Sequence, residues 1–186
     1  MISCNLLLAL LAVGGAGADE LAPLAVESQP LAANVLRVLE AFDYLGAPLG
    51  ADTRRALEEA AQRRDARRLQ ELLDPHVLLV VSLSPEERVK VQRGPARALL
   101  QQAAFTPVLV KVCNGSTVTK RLRIGSPQAG SPYAGASKFS LTRQQQVELN
   151  ANENTDGKAR FLDVAMFQAP PLTTNLSGLE VEYALA

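Results

Sequence analysis

The sequence has no tryptophan, one histidine, two cysteines and no net charge. Each shortage excludes something. His76 alone cannot supply the several imidazoles that a catalytic zinc usually takes. Cys4 and Cys113 are too few and too far apart for a disulfide framework or a multi-cysteine zinc site. Nineteen basic residues against nineteen acidic ones leave no surplus for a dedicated polyanion binder, and charge is too sparse to drive disorder. Aromatics at 4% are too thin for a platform that stacks bases or sugar rings. Gly-rich phosphate loops, nucleophile elbows and HExxH motifs are all missing, which argues against an autonomous enzyme and gives no ground for a cofactor.

What is present is 47% hydrophobic residues in a chain of 186. The first of them form a leader pattern. Leu6 to Val13 is a short apolar run, followed by small residues through Ala16 and Ala18 and then Asp19 and Glu20. A signal peptide over residues 1–18, cleaved before Asp19, is expected, with export to the periplasm or the outside of a bacterial cell. The n-region carries no Lys or Arg, the one departure from the pattern. Cys4 precedes the apolar run and so is not placed for lipid attachment, which leaves Cys113 unable to form an internal disulfide. No later stretch approaches the roughly 18 apolar residues of a membrane-spanning helix. The remaining chain suits one domain of roughly 150 to 170 residues with a real core.

Residues 19–75 read as helical. Leu31, Val35, Val38, Leu39, Phe42 and Leu45 recur at helical spacing after a capping Ser28 and before Gly46. A second helix starts near Asp52 with Leu57, Ala60 and Ala61 on one side; a third starts at Asp65 with Leu69, Leu72 and Leu73 inward, stopped by Asp74 and Pro75. From residue 76 the period becomes strand-like. Strands are expected at Val77–Leu83, Arg88–Arg93 and Thr106–Cys113, the last turning at Asn114-Gly115-Ser116 into a returning strand over 118–124. Residues 125–135 read as a surface loop, 141–150 as a short polar helix or extended edge, and 160–168 and 178–186 as closing strands. The expected fold is α+β: a helical segment over 19–75, then an antiparallel, Ig-like β-sandwich over 76–186. Its last strand alternates to the final residue, so it either lies buried within a sheet or belongs to a longer protein cut short here, and the second reading is the favoured one.

Three constellations carry candidate chemistry. Asn152, Asn154, Asp156, Gly157 and Asp163 fall at the first, third, fifth, sixth and last positions of a calcium-loop template. The first position wants Asp and the last Glu, and Lys158 and Arg160 add positive charge, so a plain turn is the stronger reading. Asp74, His76 and Cys113 could form a minimal hydrolytic set, but no second base or ligand accompanies them, and a structural histidine and thiol are expected. The arginines at 54, 55, 63, 64, 67 and 68 crowd two helices; Glu58, Glu59 and Glu71 stand four residues beyond Arg54, Arg55 and Arg67 and would neutralise them, so nucleic-acid or lipid binding is not expected.

Several stretches carry a family likeness: Gln29-Pro-Leu-Ala-Ala-Asn34, Leu45-Gly-Ala-Pro-Leu49, Leu73-Asp-Pro-His-Val-Leu-Leu-Val80, Arg88-Val-Lys-Val-Gln-Arg-Gly-Pro95 and Thr106-Pro-Val-Leu-Val-Lys-Val112. Val118–Ile124, Arg160–Val164 and Asn175–Tyr183 complete it. Over nearly the whole exported chain the sequence resembles the non-catalytic N-terminal region of secreted metallohydrolases of the CehA/McbA type, in their planctomycete versions. The resemblance implies β-sandwich modules ahead of a histidine-rich, metal-dependent hydrolase domain, whose ligands have no counterparts here. The expected function is that of an exported accessory domain, non-catalytic, whose partner is a downstream catalytic domain or another protein. The alternative is a free-standing binding module that recognises carbohydrate or protein through the 125–135 loop.

Overall fold

A computed structural model describes residues 21–97, 99, 105–124 and 164–186. The leader, the 125–135 loop, the 141–150 segment and the calcium template from Asn152 to Asp163 lie outside these residues.

Three helices come first: α1 (Ser28–Tyr44), α2 (Ala51–Gln62) and α3 (Ala66–Leu73). The apolar spacing of α1 buries Leu31, Val35, Val38, Leu39 and Phe42 along one stripe. Glu27 rather than Ser28 occupies the N-cap, without a side-chain cap bond. At the other end Gly46, at φ +70°, lets its N–H reach the Asp43 carbonyl while the Ala47 N–H reaches that of Phe42. The same closure ends α2, with Arg64 at φ 55° in the left-handed position. Asp65 caps α3 by accepting the Arg68 N–H at 2.9 Å. Leu57, Ala60, Ala61, Leu69 and Leu73 join the stripe of α1 in one core.

A one-turn 3₁₀ segment, Asp74–His76, leads into β1 (Val77–Leu83), followed by β2 (Val89–Arg93), β3 (Leu109–Asn114) and β4 (Val181–Leu185). They form one sheet in the order β2-β1-β3-β4. β1 pairs antiparallel with β2, β3 pairs antiparallel with β4, and the central β1–β3 pair is parallel. A register shift between Val77 and Leu79 turns Val77 to the same face as Val80. That face, with Leu109, Val181, Tyr183 and Leu185, packs on the helices. The opposite face buries Val81, Leu83, Val110 and Val112 beneath Leu176, Val118 and Leu122.

The α+β class is thus as the sequence implies, but an all-antiparallel arrangement is corrected by the parallel β1–β3 pair, and the described residues form a single open sheet rather than a sandwich. The expected return strand over 118–124 is not formed. Asn114 is the reason: its side-chain oxygen accepts the Val118 N–H at 3.1 Å and its amide donates to the Val118 carbonyl at 2.8 Å, so the chain leaving the turn is held by a side chain and not by a ladder. Residues 164–168 are likewise not a strand; Phe167 gives one bond, N–H to the Leu185 carbonyl at 2.8 Å.

Candidate functional site

The densest polar cluster lies where the 3₁₀ turn meets the helix-facing side of the sheet. Asp74 projects from the turn, Lys111 from the middle of β3 and Tyr183 from β4, directly opposite Lys111 in the β3–β4 register. All three are enclosed, at 4%, 2% and 1% exposure. Lys111 Nζ donates to Asp74 Oδ2 at 2.8 Å, and the Tyr183 hydroxyl donates to Asp74 Oδ1 at 2.8 Å. The ammonium also stands 5.9 Å from the Tyr183 ring centre. A buried ion pair repays its desolvation only when its remaining atoms are also engaged, and here both carboxylate oxygens are. Burial, reinforced by the Asp74 carboxylate that its hydroxyl contacts, drives Tyr183 far above the ordinary phenol range.

Three buried carboxamides each hold both backbone groups of another residue. Asn34 of α1 accepts the Tyr183 N–H at 2.7 Å and donates to its carbonyl at 2.9 Å. Gln70 of α3 does the same to Leu24, at 3.0 and 2.8 Å. Asn114 and Val118 are the third pair. Among the described residues no buried side-chain polar atom lacks a partner.

Among the described residues, Asp74, His76 and Cys113 are not hydrogen-bonded to one another. His76 is exposed at the end of the 3₁₀ turn, and partial desolvation lowers its pKa. Its neighbour Asp74 has both oxygens committed to Lys111 and Tyr183, so it does not orient the imidazole. Cys113 is a half-buried thiol whose pKa is raised, first by burial and further by Asp74, against the pull of Lys111; a thiol so shifted is a weak nucleophile. Four of the six arginines are paired: Arg54 with Asp43 of α1 and with Glu58, Arg55 with Asp52 rather than Glu59, and Arg67 and Arg68 with Glu71. The Asp43 and Glu58 contacts raise the pKa of Arg54, and the two arginines lower that of Glu71.

Sequence reasoning missed Lys111, Tyr183 and Asn34 as a set. Alternation along β3 sets Val110 and Val112 on one face and Lys111 on the other, and in a central strand covered by helices on that second face both are buried. Asn34 carried a signal of its own, a carboxamide inside an apolar helical stripe, three residues after Leu31 and four before Val38.

Between α1, β4 and residues 166–176 lies a crevice of about 30 Å³, lined by Asn34, Arg37 and Glu182 among others, with room for little more than a water molecule. Glu182 is held there by the Ser177 N–H at 3.0 Å; burial raises its pKa, opposed by that N–H and by Arg37. No cluster of three or more His, Cys, Asp or Glu side chains suited to a metal occurs among the described residues, and none of their helices is long and apolar enough to cross a membrane. No protein family, curated protein or solved structure matches the chain.

Proposed function

We propose that this chain is a non-catalytic accessory domain of an exported protein, related to the N-terminal region of secreted metal-dependent hydrolases, and that it acts by presenting a surface to a partner domain or protein. The carrying observation is the commitment of the buried polar groups to one another. Asp74 spends both oxygens on Lys111 and Tyr183, which cross-links the 3₁₀ turn, β3 and β4 and leaves the cluster as a brace. The raised thiol of Cys113 supports the same reading, since it works against nucleophilic use. The sandwich belongs to this proposal as well: a second layer would lie over the face of Val81, Val110 and Val112, beside Leu176, Val118 and Leu122.

The test is thermal unfolding of the purified chain from residue 19, with and without zinc, magnesium or calcium, beside a hydrolysis assay on phosphodiester and ester substrates. One cooperative, metal-independent transition and no turnover are expected. Metal-dependent folding, or turnover abolished by Asp74→Asn, would overturn the reading. Export is tested separately by N-terminal sequencing of the secreted product, which should begin at Asp19.

The outer edge of β2 suits the presenting role, since every residue of that strand is exposed.

A further inference from the structure

Strand β2 is the outer strand on the side of the sheet away from β4. Its pairing with β1 is bounded by Ser84 N–H to the Arg88 carbonyl at 2.9 Å and Gly94 N–H to the Leu78 carbonyl at 2.8 Å. In an antiparallel ladder hydrogen-bonded and non-bonded pairs alternate, so Lys90 and Gln92 turn their backbone groups toward β1, and Val89, Val91 and Arg93 turn theirs outward. Among the described residues nothing bonds to those outward groups. Every residue of β2 is exposed, and Val89 and Val91 remain 59% and 58% accessible on the sheet face opposite the helices. The charges are of one sign: Arg88, Lys90 and Arg93 along a strand with no acidic residue between Arg88 and Arg93.

We infer that β2 is a docking edge for an extended polypeptide segment of alternating acidic and apolar residues, added antiparallel to Val89–Arg93; this rests on the accessory role just proposed and specifies its partner. Backbone pairing to residues 89, 91 and 93 supplies the adhesion, and side chains supply the choice. On one face the added strand sets apolar groups beside Val89 and Val91 and a carboxylate beside Arg93. On the other face it sets carboxylates beside Lys90 and Arg88. A second copy of β2 is a poor occupant, because antiparallel self-pairing brings Arg88, Lys90 and Arg93 of both copies together without a counter-charge.

The experiment uses the chain from residue 19 and a synthetic peptide, acetyl-Glu-Thr-Val-Glu-Val-Glu-amide, followed by amide chemical shifts and by calorimetry. Binding is expected to shift residues 88–93, to weaken between about 50 and about 500 mM salt, and to be absent for the peptide with Lys in place of Glu. Val91→Pro removes an outward N–H that β1 does not use, so the fold survives and affinity falls by about tenfold or more. Lys90→Glu should weaken the acidic peptide and admit the basic one. No binding at millimolar peptide would show that the cationic residues guard the edge instead, and would overturn the inference. Equal binding to Val91→Pro, or a concentration-dependent dimer through β2 without peptide, would do the same. Each of these leaves the accessory role standing, since that is lost only through metal-dependent folding or turnover.

Discussion

The two outer strands of the sheet are treated in opposite ways. On β4 the outward positions are Val181, Tyr183 and Leu185, and the structure occupies them: Asn34 takes both backbone groups of Tyr183, and the Phe167 N–H takes the carbonyl of Leu185. On β2 the outward positions are Val89, Val91 and Arg93, all exposed, and among the described residues nothing bonds to their backbone groups. An unpaired strand edge is a template for another strand, and proteins manage it by covering it or by charging it. β4 is covered by an amide from a helix and by a returning loop. β2 is charged, and so is selective: it repels a like strand and favours an acidic one. Strand addition is thereby directed to β2, on the side of the sheet away from β4.

The contrast is broken most severely from beneath β4. Lys111→Met leaves Asp74 buried without its counter-charge and should cost about 3–5 kcal/mol in urea unfolding. The triple replacement Lys111→Met, Asp74→Leu, Tyr183→Phe should recover most of that, because no charge or hydroxyl is then left unpaired. At the other edge Gly94 is the sensitive point. A Cβ there would lie 2.2 Å from the Val77 carbonyl oxygen, so Gly94→Ala should cost about 1–3 kcal/mol and pull the end of β2 from β1.

Asn34→Leu uncovers the Tyr183 N–H and carbonyl. A loss of about 1–3 kcal/mol is expected, with association detectable by light scattering as β4 becomes a usable edge. Val91→Pro, by comparison, should change stability by less than about 1 kcal/mol, since the N–H it removes faces outward.

Alkaline pH sharpens the comparison in a second way. Tyr183 has a folded-state pKa far above its unfolded value of 10.0, so its contribution is fully present below pH 10 and is lost as pH rises beyond it. The wild type should lose about 1.4 kcal/mol per pH unit more steeply there than Tyr183→Phe. Its tyrosinate absorbance should appear only with unfolding, in a chain with three tyrosines, and Tyr183→Phe identifies which part of the signal that is.

Much of this was legible before the structure. The stripes of α1, α2 and α3, the bounds of β1 and the alternation of Val181, Tyr183 and Leu185 follow from periodicity, because a face against a core imposes its spacing on the chain. The order of the strands did not follow. Asn114-Gly115-Ser116 carries the signal of a hairpin, yet the Asn114 side chain replaces the ladder that the signal implies, and β4 arrives from far along the chain to pair with β3. The brace was illegible for a related reason. Asp74, Lys111 and Tyr183 are distant in sequence, and a lysine in an alternating strand reads as solvated until helices are known to cover that face. Carboxamides such as Asn34 and Gln70 are the clue that sequence did offer: polar groups among core positions must find partners, and here each finds both backbone groups of one residue.

The most direct test is amide hydrogen exchange at Tyr183 and Val91, both outward-facing residues in the middle of outer strands. With Asn34 holding one and water the other, Tyr183 should exchange slowly, near the rate set by global unfolding, while Val91 exchanges fast beside protected Lys90 and Gln92. A protected Val91, or a Tyr183 that exchanges as fast as Val91, would contradict the account of one closed edge and one open edge.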